Sequence, residues 1–119
     1  MEKKILVVDD DAMVRRMAKM FLGKAGYQVL EADSGAEALD RLQQEQVDLI
    51  LLDVEMPGLN GPETLLRLRR LKLEAPVYFL SGSEETEEQV KEGKSPADGF
   101  IRKPFLPGVL LETVKQALE

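Results

Sequence analysis

Cysteine and histidine are both absent from this 119-residue chain. Without cysteine there is no disulfide framework and no thiolate chemistry. Without histidine the chain lacks the commonest general base and the commonest transition-metal ligand, so any metal must be a hard cation held by oxygen. No apolar run is long enough to span a membrane, and Met1-Glu2-Lys3-Lys4 carries no apolar signal region. A cytoplasmic protein without membrane contact is therefore the expectation. Positive charge is in deficit: 16 Lys and Arg stand against 22 Asp and Glu, a net charge of −6 that argues against direct nucleic-acid binding. Linkers, low-complexity stretches and close repeats are missing too. A 44% hydrophobic content over 119 residues suits one domain, residues 1–119, around one core.

What the chain does contain is organised around Leu49-Ile50-Leu51-Leu52-Asp53-Val54-Glu55-Met56-Pro57-Gly58. An apolar run without polar alternation ends in a carboxylate, and a Pro-Gly turn follows. Such a run reads as a parallel strand buried on both faces. Its last residue, Asp53, is delivered to the rim of the sheet, where ligands bind in open α/β folds.

Ile5-Leu6-Val7-Val8 is a second uninterrupted run, ending in Asp9-Asp10-Asp11. Val14, Met17, Ala18, Phe21, Leu22 and Ala25 then recur at helical spacing until Gly26. Residues 27–32 read as a less buried strand. Ser34 and Glu37 form a capping box for a helix to about Glu45 that buries Ala38, Leu39 and Leu42. Residues 47–53 are the third strand. Gly61-Pro62-Glu63 starts a helix with Leu65, Leu66 and Leu68 as its packing side and Arg67, Arg69, Arg70 and Lys72 at its exposed side and C-terminal end. Residues 76–80 form the fourth strand, ending at Ser81. An acidic helix runs from Ser83 to about Glu92. Residues 99–102 form the fifth strand, ending at Lys103-Pro104, and a last helix carries Leu106, Val109, Leu110, Val114, Ala117 and Leu118 on one stripe. Alternating strands and helices imply an α/β fold: a doubly wound five-stranded parallel sheet with helices on both faces, flavodoxin-like. The two most apolar strands belong side by side at the centre, which the order 2-1-3-4-5 satisfies.

Each polar residue of chemical interest stands where a strand runs out: Asp9 and Asp10 after the first, Asp53 after the third, Ser81 and Gly82 after the fourth, Lys103 after the fifth. Three carboxylates at one edge repel unless a cation compensates, and oxygen ligands select Mg²⁺. Metal, ammonium, hydroxyl and backbone amide together can cradle a phosphoryl group, with Asp53 as nucleophile. Each residue also has a plainer role. Asp11 is expected to cap the first helix, Ser81 and Glu84 fit a capping box, Asp53 alone would pass as a turn residue, Lys103 alone as a solvated lysine, and Phe100 as core.

In order along the chain, the Asp9-Asp10 pair, Asp53 with Met56-Pro57-Gly58 and Gly61, Ser81-Gly82, and Phe100 before Lys103-Pro104-Phe105 resemble the receiver domain of two-component response regulators over the whole chain. The resemblance implies phosphorylation at Asp53 by a histidine kinase, a phosphotransfer protein or a small phosphodonor. It implies Mg²⁺ bound by Asp9, Asp10, Asp53 and the backbone carbonyl of Glu55, and a switch in which Ser81 moves to the phosphoryl group while Phe100 turns inward. Lys103 is expected to anchor the phosphoryl group, with a cis Lys103–Pro104 bond, an isomer available before proline. A downstream protein or fused output domain would read the signal, and a homodimer is compatible with it. On this reading the chain is a signalling module, an enzyme only toward its own aspartyl phosphate. The departure lies in the fourth helix: Glu84, Glu85, Glu87, Glu88 and Glu92 dominate, Val90 is its only large apolar residue, and Gly93 and Pro96 follow, so residues 83–97 are expected to be the most mobile segment. Two other functions compete. A phosphatase of the haloacid dehalogenase type would use Asp9 as nucleophile, but Met13 stands where such motifs carry Thr or Val. A flavin- or nucleotide-binding module would need a Ser/Thr/Gly-rich loop where this chain has three acids.

Overall fold

A computed structural model describes residues 2–119. Strands and helices alternate: β1 (Lys4–Val8), α1 (Ala12–Lys24), β2 (Gln28–Ala32), α2 (Gly35–Gln44), β3 (Leu49–Asp53), α3 (Gly61–Arg70), β4 (Val77–Ser81), α4 (Glu84–Lys91), β5 (Gly99–Arg102) and α5 (Pro107–Ala117). The strands form one parallel sheet in the order β2-β1-β3-β4-β5, the order expected from the two apolar runs. Register follows from that pairing: Val8 lies opposite Leu52, Asp53 opposite Leu80, and Ser81 opposite Arg102. All five residues of β3 are buried.

Successive strand residues point to opposite faces, so each strand feeds two cores. Leu6, Val8, Ile50, Leu52, Val77 and Phe79 pack with Ala38 and Leu42 of α2 and Leu65 and Leu68 of α3. Ile5, Val7, Leu49, Leu51, Leu80 and Ile101 pack on the other face with Ala18 and Leu22 of α1 and Leu110 and Val114 of α5. Three expected core residues lie outside: Leu66, Leu106 and Val109 are exposed. The buried stripe of α3 runs through Gly61, Thr64, Leu65 and Leu68, which turns Leu66 to solvent. Leu106 is the N-cap residue of α5 and not part of its body.

The helix starts follow the side-chain chemistry, with local changes. Asp11 caps α1, its side chain accepting from Met13 N–H. Ser34 accepts from Glu37 N–H as expected, but the Glu37 carboxylate reaches one residue further back, to Asp33 N–H. A full reciprocal capping box occurs instead at Asn60 and Glu63. Ser81 and Glu84 form no box: Ser83 caps α4, accepting from Glu85 N–H. Arg69 is not a plainly solvated end of α3. It donates to the carbonyls of Leu73 and Ala75 and to Asp98, tying the turn after α3 to the approach to β5. Helix α4 carries no buried residue.

Gly61 is required by close approach. A Cβ there would stand 2.6 Å from the carbonyl oxygen of Asp53 and 2.8 Å from Cα of Val54, both backbone atoms that no rotamer change can move. Gly61→Ala is expected to destabilise the fold by about 1–3 kcal/mol, measured by urea unfolding, because overpacking against backbone must displace the end of β3.

Candidate functional site

Because all strands are parallel, β1, β3, β4 and β5 deliver their ends to one edge. This brings Asp9, Asp10, Asp53, Ser81 and Lys103 together. Carboxylate oxygens of Asp9, Asp10 and Asp53 all lie within 4.8 Å of one another. Asp9 is fully buried and Asp53 nearly so at 5% exposure, while Asp10 faces solvent.

Asp9 is the most constrained of the three. Its N–H donates to the Ala32 carbonyl, its Oδ1 accepts from Asp11 N–H at 2.9 Å, and its own carbonyl accepts from Arg15 Nη1 at 2.6 Å. Arg15 also pairs with Glu31 of β2. No sequence pattern singled out Arg15, since its target is a backbone oxygen. Asp9 Oδ2 takes no well-formed hydrogen bond, and its one close polar contact is the Lys103 ammonium at 2.6 Å. Lys103 Nζ reaches Asp53 Oδ1 as well, at 3.1 Å, and Glu55 N–H approaches the same oxygen at 3.4 Å. The Lys103–Pro104 bond is cis, the isomer expected from the sequence, and Lys103 N–H donates to the Ser81 carbonyl.

A cleft of about 430 Å³ opens beside Asp53, lined by Asp53, Glu55, Ser81, Gly82, Ser83 and Lys103. The Ser81 hydroxyl accepts from Ser83 N–H at 3.0 Å and donates to the Thr86 hydroxyl at 3.2 Å. Phe100 is half-buried on β5, with the Lys91 ammonium 5.8 Å from its ring centre. Arg102 holds Glu87 of α4 at 2.7 Å; hydrogen bonds from Arg102 and Lys91 keep the Glu87 carboxyl below its ordinary pKa.

Burial, with the Asp9 charge adding to it, pushes the Asp53 carboxyl from 3.8 up to about 6, against the pull of Lys103. For Lys103, burial favours the neutral amine, but close contact with the Asp9 and Asp53 carboxylates outweighs it and raises the pKa. A carboxyl that holds its proton more tightly folded than unfolded adds stability at low pH. That contribution fades as pH rises from 3.8 to about 6. At pH 7 without divalent cations, Asp53→Asn is therefore expected to stabilise the fold by about 1–2 kcal/mol, with the gain vanishing below pH 4 in urea titrations.

The three acids fit a hard divalent cation. Their oxygens are close enough to share one ion, Lys103 neutralises only part of their charge, and Asp9 Oδ2 is buried without a proper hydrogen bond.

A doubly wound parallel sheet with acids, a hydroxyl and a lysine on the carboxyl edge of its strands defines a class, the phosphorylation-controlled signalling modules built on this fold. The chain belongs to the response regulator receiver domain family, whose model matches residues 5–115. It is 39% identical to the alkaline phosphatase synthesis transcriptional regulatory protein PhoP of Bacillus subtilis, over 99% of this chain and 49% of that protein. It is 38% identical to the transcriptional regulatory protein ResD of the same organism, over 98% of this chain and 48% of that one. The chain thus spans about half the length of the curated relatives it matches. Among solved structures, the chemotaxis response regulator CheY4 of Vibrio cholerae superposes with a TM-score of 0.90 at 33% identity, covering 99% of this chain and 100% of that one. TrrA of Thermotoga maritima, solved in complex with Mg²⁺ and BeF, superposes at 0.85 with 34% identity, covering 98% and 99%. The chain is accordingly a receiver domain of two-component signalling. No helix among the described residues is long and apolar enough to cross a membrane.

Proposed function

We propose that residues 1–119 act as one receiver unit in which Asp53 is the phosphoacceptor, with a histidine kinase, a phosphotransfer protein or a small phosphodonor as the source. The observation that carries this reading is the single buried carboxylate at the end of the central strand, facing an open cleft with Lys103 at 3.1 Å. An Asp53 oxygen attacks phosphorus, the bond from phosphorus to the donor breaks, and an aspartyl phosphate remains. Lys103 pairs with the incoming phosphoryl charge, and the Ser81 hydroxyl and Gly82 N–H are its hydrogen-bond donors. Asp9, Asp10, Asp53 and the Glu55 carbonyl would hold Mg²⁺, which supplies charge neutralisation for phosphoryl transfer. Asp9, kept in place by Arg15 and Asp11, would offer to that position the oxygen that here lies against Lys103. Water attacking the same phosphorus would break its bond to Asp53, release inorganic phosphate and return the carboxylate, so the same residues serve the chain's own dephosphorylation. Ser81 and Phe100 form the switch, and α4 with β5 carries the change to a downstream protein or fused output domain, with a homodimer as one form of output.

The test is intact mass after incubation with acetyl phosphate and Mg²⁺. One phosphoryl adduct is expected. A wild-type protein that gains none from acetyl phosphate, phosphoramidate or a phosphorylated histidine kinase would exclude this reading.

A further inference from the structure

We propose that Thr86 is a positioning residue that holds the Ser81 hydroxyl in its resting place and makes release of α4 part of phosphorylation; this rests on the reading of Asp53 as phosphoacceptor. The argument begins with one proton. A serine hydroxyl donates a single hydrogen bond. In this structure the Ser81 donor is committed to Thr86 Oγ1 at 3.2 Å, while its acceptor side holds Ser83 N–H. Ser81 lines the cleft beside Asp53, yet its proton points to α4. To donate to a phosphoryl oxygen on Asp53, Ser81 must withdraw its proton from Thr86. One proton cannot serve both acceptors, so the bond as it stands is lost.

The consequence is large because α4 has few other attachments. None of its residues is buried. Its other polar ties to the sheet are the Glu87–Arg102 pair, with Arg102 exposed, and Lys91 over the Phe100 ring. A helix held by polar contacts and not by apolar burial loses a sizeable share of its attachment with each bond. Loss of the Thr86 contact would therefore loosen the segment that also carries Lys91 and Glu87, freeing Phe100 and Arg102 of β5 at the same time.

Thr86→Val removes the acceptor while keeping a β-branched side chain of similar size; Thr86→Ser keeps the acceptor. Phosphorylation by acetyl phosphate, read by mass, should be roughly twofold to tenfold faster in Thr86→Val and unchanged in Thr86→Ser. In a Ser81→Ala background Thr86→Val should have no effect, since the partner is gone. Amide exchange across residues 84–91 should be faster in Thr86→Val without phosphodonor, approaching that of the wild type with beryllofluoride and Mg²⁺. Equal or slower labelling of Thr86→Val, or the same acceleration in the Ser81→Ala background, would overturn the inference while leaving Asp53 as acceptor intact. A wild type that takes no phosphoryl group overturns both.

Discussion

Asp53→Asn is expected to take up no phosphoryl group from acetyl phosphate under conditions that label the wild type completely. The substitution keeps the size of the side chain and removes the nucleophilic oxygen. Among the three acids of the rim, Asp53 is the one that lines the cleft. Asp9 is fully buried, with one carboxylate oxygen held by Asp11 N–H and the other against Lys103. Asp10 is exposed and not at a strand end packed against Lys103. The same comparison weighs against the phosphatase alternative, which requires Asp9 as nucleophile: fully buried, Asp9 has no open approach for an in-line attack on phosphorus. Intact mass on Asp53→Asn and Asp9→Asn decides between them. Labelling that survives in the first variant and disappears in the second would move the nucleophile to Asp9. The Asn variant is also the one expected to gain stability at neutral pH. Loss of labelling accompanied by a firmer fold separates a missing nucleophile from a collapsed site.

Removal of divalent cations, or Asp10→Asn, should slow labelling by about a hundredfold or more. Lys103 offsets one of the three negative charges at the rim, and an incoming phosphodonor brings further negative charge. Asp10 is the solvent-facing member of the cluster, the first carboxylate an arriving ion would meet. Its replacement should weaken Mg²⁺ binding in calorimetry without loss of stability, because Asp10 contributes nothing to the core. Asp9→Asn is the contrasting case: it alters a buried group hydrogen-bonded to the start of α1 and should cost stability as well as affinity. Mg²⁺ affinity in Asp10→Asn equal to wild type would put the cation elsewhere.

The strands and their order were legible because periodicity and burial are local properties of a sequence. Ile5–Val8 and Leu49–Leu52 have no polar residue to turn toward water, so they must be central; the parallel connection rule then leaves few topologies. Asp9, Asp10, Asp53, Ser81 and Lys103 were legible for the same reason: each follows directly on the end of a run, and parallel strands place their ends on one edge. Asn60 with Glu63 carries the same capping pattern as Ser34 with Glu37 and could have been read from the sequence. What stayed hidden were arginine contacts to backbone carbonyls, Arg69 on Leu73 and Ala75 and Arg15 on Asp9, because a carbonyl carries no residue-type signal. Helical spacing made Leu66 and Val109 look like core, but how far a buried stripe extends around a helix is set by the sheet beneath it. The rim's residue types were therefore determined by the sequence alone. Their distances, the upward shift of Asp53, and the pairing of Ser81 with Thr86 were decided only by the tertiary structure, because charge repulsion, desolvation and competition for one hydroxyl proton depend on separations of a few ångströms between residues up to 94 positions apart, as Asp9 and Lys103 are.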